Sequence, residues 1–120
     1  MVFLIEDDPD VADSLRTLLT RCGYSVRVAN DGMQALAALQ SGVQSGERPD
    51  LLLLDLMMPN LDGFRFRAAQ LEAPELATVP TIVITADTRA NAKELGVAAC
   101  FYKPFDVAKL LAEIKRHVRG

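Results

Sequence analysis

Four short apolar segments of this 120-residue chain are each followed by residues that can do chemistry. Carboxylates, a hydroxyl and an ammonium group stand at these points, namely Glu6, Asp7, Asp55, Thr85 and Lys103. Clustered carboxylates repel one another, so a half-buried group of them needs a cation beside it. Mg²⁺ typically binds a few carboxylates together with water and phosphate oxygens. The residue types therefore predict a magnesium site in which the lysine and the hydroxyl bind a phosphoryl group.

A carboxylate in such a site can also be the nucleophile, and its attack on a phosphorylated donor forms an aspartyl phosphate. The residues together predict Mg²⁺-assisted phosphoryl transfer onto an aspartate. Each of them alone has an ordinary structural explanation, because an aspartate at a strand end usually caps a helix or sits in a turn. The functional interpretation depends on the whole set.

The elements that must position these residues alternate along the chain. Short apolar runs predict buried strands, and leucines spaced three and four residues apart behind an acidic cap predict helices. Strands are predicted at residues 2–5, 24–29, 51–54, 80–84 and 99–102. Helices are predicted at residues 9–22, 33–40, 64–71, 87–95 and 107–118, with a surface loop over residues 41–49.

Five βα units in succession predict an α/β domain with a parallel sheet, right-handed crossovers and helices on both faces. Ligands of such open sheets bind beyond the carboxyl ends of the strands, which is where the acids, Thr85 and Lys103 stand. No boundary, repeat or low-complexity tract divides the sequence, so residues 1–120 are expected to form one domain.

Composition argues against several other classes of protein. The net charge is −3 without a dominant basic patch, so direct nucleic-acid binding by this domain is not expected. No apolar stretch approaches the roughly 18 residues of a membrane span, and no secretory signal is expected. Cys22 and Cys100 match no metal-binding spacing and are expected to be reduced thiols, which favours a cytoplasmic location.

Several short motifs occur in an order that is typical of one family. They are Phe3-Leu4-Ile5-Glu6-Asp7-Asp8, Asp31-Gly32 with Ala35-Leu36, Asp55-Leu56-Met57-Met58-Pro59 with Asp62-Gly63, Thr85-Ala86, and Lys103-Pro104-Phe105. Each motif alone is weakly specific, whereas the whole set in these positions is strongly specific. Over its whole length the chain resembles the receiver domain of two-component response regulators. The resemblance implies a flavodoxin-like, doubly wound (βα)₅ fold with strand order 2-1-3-4-5.

The resemblance also implies the roles of the phosphoryl-binding residues. Asp55 would be the phosphoacceptor, Thr85 would bind a phosphoryl oxygen and move toward it, and Lys103 would pair with the phosphoryl group. A cis peptide bond before Pro104 would aim the lysine at the site. The small side chain of Ala86 would leave room for the phosphoryl group.

A metal site is implied by the same resemblance. Asp7 would bind Mg²⁺ directly and Glu6 mostly through water, because this acidic pair follows the first strand at once. Asp55 and the backbone carbonyl of Met57 would supply the remaining protein ligands. Asp8 stands one position further on and is expected to cap the first helix.

The implied function is that of a phosphoacceptor in a two-component phosphorelay. A sensor histidine kinase or a phosphotransfer protein would donate the phosphoryl group, and phosphorylation would change a surface that a downstream protein or an output domain recognises. Such a domain is not an enzyme with external turnover, since it catalyses only its own phosphorylation and dephosphorylation. The chain would be a stand-alone regulator or the receiver part of a longer protein.

Two features depart from the family pattern. The family usually has a tyrosine or phenylalanine three residues before the lysine, where this chain has Cys100. Strand alternation places Tyr102, but not Phe101, on the same face as Cys100. The segment between Thr85 and Gly96 is shorter than in the family by about one helical turn, which predicts a shortened fourth helix. These departures motivate a second hypothesis, a pseudo-receiver interaction module that keeps the fold but does not switch. The complete set of Glu6, Asp7, Asp55, Thr85 and Lys103 argues against it.

A haloacid-dehalogenase-like phosphatase is a third alternative, because it also uses an aspartate nucleophile and Mg²⁺. Its nucleophile follows the first strand in a D-x-D pattern. Here Asp55 follows the third predicted strand, and Met57 occupies the position of the second aspartate. The phosphatase hypothesis therefore ranks below the other two.

Overall fold

The computed structural model describes residues 1–57 and 62–118. Within these ranges the elements are β1 (Val2–Ile5), α1 (Pro9–Arg21), β2 (Val26–Ala29), α2 (Gly32–Gln44), β3 (Leu51–Asp55), α3 (Gly63–Glu72), α4 (Pro74–Ala77), β4 (Thr81–Thr85), α5 (Ala92–Leu95), β5 (Ala99–Tyr102) and α6 (Val107–His117). The strands pair in parallel in the order β2-β1-β3-β4-β5. This arrangement confirms the predicted doubly wound, flavodoxin-like fold.

The apolar runs at residues 2–5, 51–55 and 81–85 become strands that are buried at every position. Both faces of the sheet are covered, so successive side chains enter two separate core clusters. Phe3 and Ile5 pack in the cluster on the side of α2 and α3, whereas Val2 and Leu4 pack in the cluster beside α1 and α6. Burial on both faces explains why these strands are continuous apolar runs in the sequence rather than alternating ones.

Short polar side chains begin most of the helices. In each case a carboxylate or amide oxygen accepts a hydrogen bond from a backbone N–H group of the first turn. The capping residues are Asp8, Asp31, Asp62, Asn91 and Asp106. Asp8 was predicted as the cap of the first helix, and Pro9 occupies the first helical position behind it.

The structure differs from the prediction around the second and third helices. Helix α2 continues to Gln44, whereas a loop was predicted from residue 41. The chain then turns back closely, since the Glu47 N–H donates to the Gly42 carbonyl at 2.6 Å. A side chain at Gly42 would lie 2.9 Å from the Glu47 carbonyl oxygen, so only glycine fits there without a shift. The short helix α4 was not predicted.

The predicted fourth helix corresponds to α5, and its shortening is confirmed. Only residues 92–95 are helical, because Asn91 caps the helix and Gly96, at φ +67°, ends it. Arg67 of α3 supports this end, with Nη2 2.6 Å from the Gly96 carbonyl oxygen. Residues 86–91, which were predicted to be partly helical, are irregular.

Cys22 is exposed and Cys100 is half-buried, and neither forms a disulfide. Over residues 1–57 and 62–118, every helix is too short or too polar to cross a membrane.

Candidate functional site

The site lies at the carboxyl edge of the sheet, where four strands end side by side. Glu6 directly follows β1, Asp55 is the last residue of β3, Thr85 is the last of β4, and Lys103 directly follows β5. The parallel register places these strand ends at one level. Residues that are far apart in sequence therefore meet here, as the sequence predicted.

Lys103 joins the two buried carboxylates of the site. Its Nζ lies 2.9 Å from Glu6 Oε1 and 3.2 Å from Asp55 Oδ2. Glu6 has no exposed surface and Asp55 is 2% exposed, while the lysine side chain keeps 27% of its surface accessible. The ammonium group thus pairs with two carboxyl groups that are almost completely shielded from solvent.

Three carboxylates form a group suited to a metal ion. Single oxygen atoms of Glu6, Asp7 and Asp55 lie within 4.8 Å of one another. Asp7 is exposed while the other two are buried, so the group is open to solvent on one side. Hard oxygen donors with access to water are what Mg²⁺ requires, so these residues fit that ion.

Burial changes the protonation of the site. It is the main cause that raises the pKa of Glu6 from 4.5 to about 8, and hydrogen bonding to Asp55 raises it further against the opposing effect of Lys103. For Lys103 burial alone would lower the pKa, but the hydrogen bond and charge of Glu6 and the charge of Asp55 outweigh it, and the pKa is raised. The metal-free site therefore holds a proton that a bound cation would displace.

The carboxylate of Asp55 is held from two directions. Its Oδ1 accepts a hydrogen bond from the Met57 N–H at 3.0 Å, and its Oδ2 faces Lys103. The Met57 side chain is 59% exposed, and the part of its carbonyl in metal binding stays a prediction. Met58 and Pro59, which belong to the motif around Asp55, lie outside the described residues.

Thr85 is fully buried, and its hydroxyl oxygen accepts a hydrogen bond from the Asp87 N–H at 3.0 Å. Its carbonyl accepts the Lys103 N–H at 2.8 Å. The backbone of the threonine is thus bonded to the backbone of the lysine. The hydroxyl hydrogen of Thr85 remains available to donate. The Lys103–Pro104 peptide bond is cis, as the resemblance implied.

A glycine allows α3 to begin directly beneath the site. A Cβ at Gly63 would lie 2.5 Å from Leu56 Cα and 2.8 Å from the Asp55 carbonyl oxygen. The Gly63 N–H donates to the Leu56 carbonyl at 3.0 Å, so the two backbones are in contact. The Asp-Gly pair at residues 62–63 therefore combines a helix cap with this close approach.

Sequence reasoning missed an ion pair beside the threonine. Arg89 Nε lies 2.9 Å from Asp87 Oδ1, and Arg89 Nη2 lies 3.1 Å from Asp87 Oδ2. This hydrogen bonding lowers the pKa of the Asp87 carboxyl. Side chains two residues apart do not face each other in a helix, so the helix predicted at residues 87–95 gave no indication of this pair. Only the irregular backbone of residues 86–91 brings the two side chains together.

Comparison with known proteins identifies the family. A family model described as "Response regulator receiver domain" matches residues 2–115. The chain therefore belongs to the receiver-domain family, whose members act in two-component signalling and interact with histidine kinases and output domains.

Individual relatives agree with this assignment. The response regulator MprA of Mycobacterium leprae is 37% identical over 98% of this chain, and the match covers 50% of MprA. MprA of Mycobacterium tuberculosis is 36% identical with the same coverage. The chain thus spans about half the length of the curated relatives it matches.

Solved structures agree as well. The chemotaxis protein CheY4 of Vibrio cholerae is 27% identical with a TM-score of 0.83, and the match covers 98% of this chain and 97% of CheY4. TrrA of Thermotoga maritima, solved in complex with Mg²⁺ and BeF, covers the same shares with a TM-score of 0.83. TrrA is 22% identical to this chain, so this likeness concerns the fold alone.

Proposed function

We propose that this chain is a phosphoacceptor receiver in which Asp55 takes a phosphoryl group from a histidine kinase or a phosphotransfer protein. The observation that carries the proposal is the position of Lys103 Nζ, 2.9 Å from Glu6 Oε1 and 3.2 Å from Asp55 Oδ2. Both carboxylates are buried. A lysine held there neutralises the charge that phosphorylation of Asp55 would add. A purely structural lysine at a strand end would instead extend into solvent.

The transfer converts one phosphorus bond into another. A carboxylate oxygen of Asp55 attacks phosphorus, the new O–P bond forms, and the P–N bond of the donor phosphohistidine breaks. The electron pair of that bond stays on the imidazole nitrogen, which takes up a proton from water. Lys103 and the Thr85 hydroxyl bind oxygens of the transferred group, so the two residues stabilise charge as it arrives on Asp55.

Mg²⁺ would be held by Asp7 and Asp55, by Glu6 through water, and by the Met57 carbonyl. Bound there, it would supply neutralisation of the acidic group and of the phosphoryl oxygens. The proximity of the three carboxylates supports this assignment.

Phosphorylation would then alter a surface that a downstream protein or output domain recognises. We treat residues 1–120 as one receiver domain that turns over only its own aspartyl phosphate. A pseudo-receiver that keeps the fold without switching remains the alternative, since helix α5 is short and Cys100 replaces the usual aromatic residue.

The test is the intact mass of the protein after incubation with acetyl phosphate, with and without Mg²⁺. We expect one phosphoryl adduct that requires Mg²⁺ and is absent from Asp55→Asn. Asp13→Asn, a change at an exposed aspartate of α1, is the matched control and should be phosphorylated normally. A folded wild-type protein without an adduct would overturn the proposal in favour of the pseudo-receiver.

A further inference from the structure

The segment between β4 and α5 is folded into a compact turn that is attached to Thr85. The Asp87 N–H donates to the Thr85 hydroxyl oxygen at 3.0 Å, and the Ala90 N–H donates to the Asp87 carbonyl at 3.2 Å. The Arg89 N–H donates to Asp87 Oδ1 at 3.0 Å. A change in the position of the threonine hydroxyl therefore acts first on Asp87 and then on the rest of the turn.

Tyr102 holds the far end of this turn from the neighbouring strand. Its hydroxyl donates a hydrogen bond to the Ala90 carbonyl. Tyr102 is also the register partner of Thr85, and the next residue, Lys103, donates its N–H to the Thr85 carbonyl at 2.8 Å. The hydrogen bonds thus close a ring that runs from Thr85 through the turn to Tyr102 and back to Thr85.

The ring connects the interior with the surface. Thr85 has no exposed surface and Ala90 is 8% exposed, whereas Tyr102 is 38% exposed. Cys100 lies on the same face of β5, but it packs against the core cluster that contains Val83 and Ala90. The inner position on this face is therefore filled by the cysteine, and the tyrosine contacts both the turn and solvent.

We propose that Tyr102 is the positioning residue that couples Thr85 to the outer surface beside α5 and β5. When Thr85 moves so that its hydroxyl reaches a phosphoryl oxygen, the hydroxyl oxygen draws away from the Asp87 N–H, the turn loosens, and the Tyr102 hydroxyl releases the Ala90 carbonyl. Bonds that share a network support one another, so loss of the first weakens the last. The exposed phenol can then bond to water instead, and the Ala90 carbonyl can do so once the turn has loosened.

This inference rests on the proposed function, and the experiment separates the two. Site-resolved amide hydrogen exchange is measured by NMR for wild type, Tyr102→Phe and Tyr24→Phe, each with and without Mg²⁺ and beryllofluoride. Fluorine NMR reports whether beryllofluoride is bound. Tyr24→Phe is the matched control, since the chain contains two tyrosines and Tyr24 lies outside the ring.

Without beryllofluoride, we expect the amides of Arg89 and Ala90 to exchange about three- to tenfold faster in Tyr102→Phe than in wild type. Beryllofluoride should accelerate the same amides in wild type and in Tyr24→Phe by a similar factor. It should add little in Tyr102→Phe, where the turn is already released. A tyrosine with a merely structural role would shift exchange equally in both states.

The aromatic side chain of Tyr102 gives a second NMR readout. In Tyr24→Phe, Tyr102 is the remaining tyrosine of the chain, and its ring resonance should shift when beryllofluoride binds. Bound beryllofluoride with unchanged Tyr102 and Ala90 signals would overturn the coupling while the proposed function stands. Absence of bound beryllofluoride would overturn the proposed function, and unchanged exchange in Tyr102→Phe would independently overturn the role of the hydroxyl.

Discussion

Lys103 Nζ lies 2.9 Å from Glu6 Oε1, although the two residues are 97 positions apart in the sequence. The contact joins the residue that follows β1 to the residue that follows β5, at the edge of the sheet where Asp55 ends β3. A buried carboxylate without such a cation would be costly, and a lysine without such a carboxylate would remain in solvent. Lys103 therefore brings a cation to the buried acids of the site, with Asp55 Oδ2 as its second partner at 3.2 Å.

Replacing Lys103 by methionine keeps the length of the side chain and removes its charge. We expect phosphorylation of Asp55 by acetyl phosphate to slow by roughly a hundredfold, because a preorganised cation at the arriving phosphoryl group is lost. The rate is measured as growth of the phosphoryl adduct in the intact mass. Lys109→Met, at an exposed position of α6, should retain the wild-type rate. Equal rates in the two variants would contradict the role given to Lys103.

The raised pKa of Glu6 predicts how stability depends on pH. Between its ordinary value of 4.5 and about 8, the folded chain binds more protons at Glu6 than the unfolded chain does. The contribution of this group to the free energy of unfolding is thus fully present below 4.5 and is lost as the pH rises through about 8. Urea unfolding in a chelator should show the decrease over this range in wild type.

Glu6→Gln removes the titrating group while keeping the shape of the side chain. The variant should show a flatter dependence of unfolding free energy on pH between about 5 and about 8 than wild type does. The same pH slope in both proteins would show that Glu6 does not hold the proton. Addition of Mg²⁺ should lower the stability difference between these pH values in wild type, since the ion displaces that proton.

Gly63→Ala tests the contact beneath the site. The new Cβ would meet Leu56 Cα at 2.5 Å, so α3 must shift away from the end of β3. We expect a loss of about 1–3 kcal/mol in the free energy of unfolding, as for overpacked core positions. Ala68→Ser, at an exposed position of the same helix, should cost roughly 0.5 kcal/mol or less. Wild-type stability in Gly63→Ala would show that a Cβ fits between Gly63 and Leu56.

Arg67 supports the shortened helix α5 from α3. Its guanidinium donates to the Gly96 carbonyl at 2.6 Å and to Gln70 Oε1 at 2.9 Å, and burial lowers its pKa. Arg67→Met should destabilise the chain by about 1–3 kcal/mol in denaturant unfolding, because the Gly96 carbonyl loses the guanidinium donor and Gln70 Oε1 keeps the weaker bond from the Thr81 hydroxyl at 3.3 Å. Arg67→Lys should restore little, since one ammonium group cannot reproduce the planar fork. Full recovery in the lysine variant would contradict this explanation.

The strands and the meeting of the site residues could be predicted because both follow from simple physical patterns. Apolar runs bounded by polar residues identify strands buried on both faces. Parallel connections bring the residues at the ends of those strands to one edge, so the sequence alone predicts that Glu6, Asp55, Thr85 and Lys103 lie together. Alternation along β5 was also predicted correctly, since Cys100 and Phe101 pack in opposite core clusters.

The hydrogen bonds around residues 86–91 and the end of α2 could not be predicted. They depend on backbone geometry, which the side-chain types do not determine. The bond from Tyr102 to Ala90 uses a carbonyl that every residue possesses. The pair of Asp87 and Arg89 forms only because residues 86–91 are irregular. The extension of α2 through Gly42 was concealed in the same way, since glycine there serves a close approach and not a turn.

Locating the phosphoryl group on the chain tests whether Asp55 is the phosphoacceptor. The protein is phosphorylated with acetyl phosphate and Mg²⁺, the acyl phosphate is reduced with borohydride, and the peptides are sequenced by mass spectrometry. Reduction converts a phosphorylated aspartate to homoserine and leaves free aspartates unchanged. The account predicts homoserine at position 55 and unmodified aspartate at positions 7, 8 and 87. Homoserine at any of those other positions, with Asp55 intact, would contradict it.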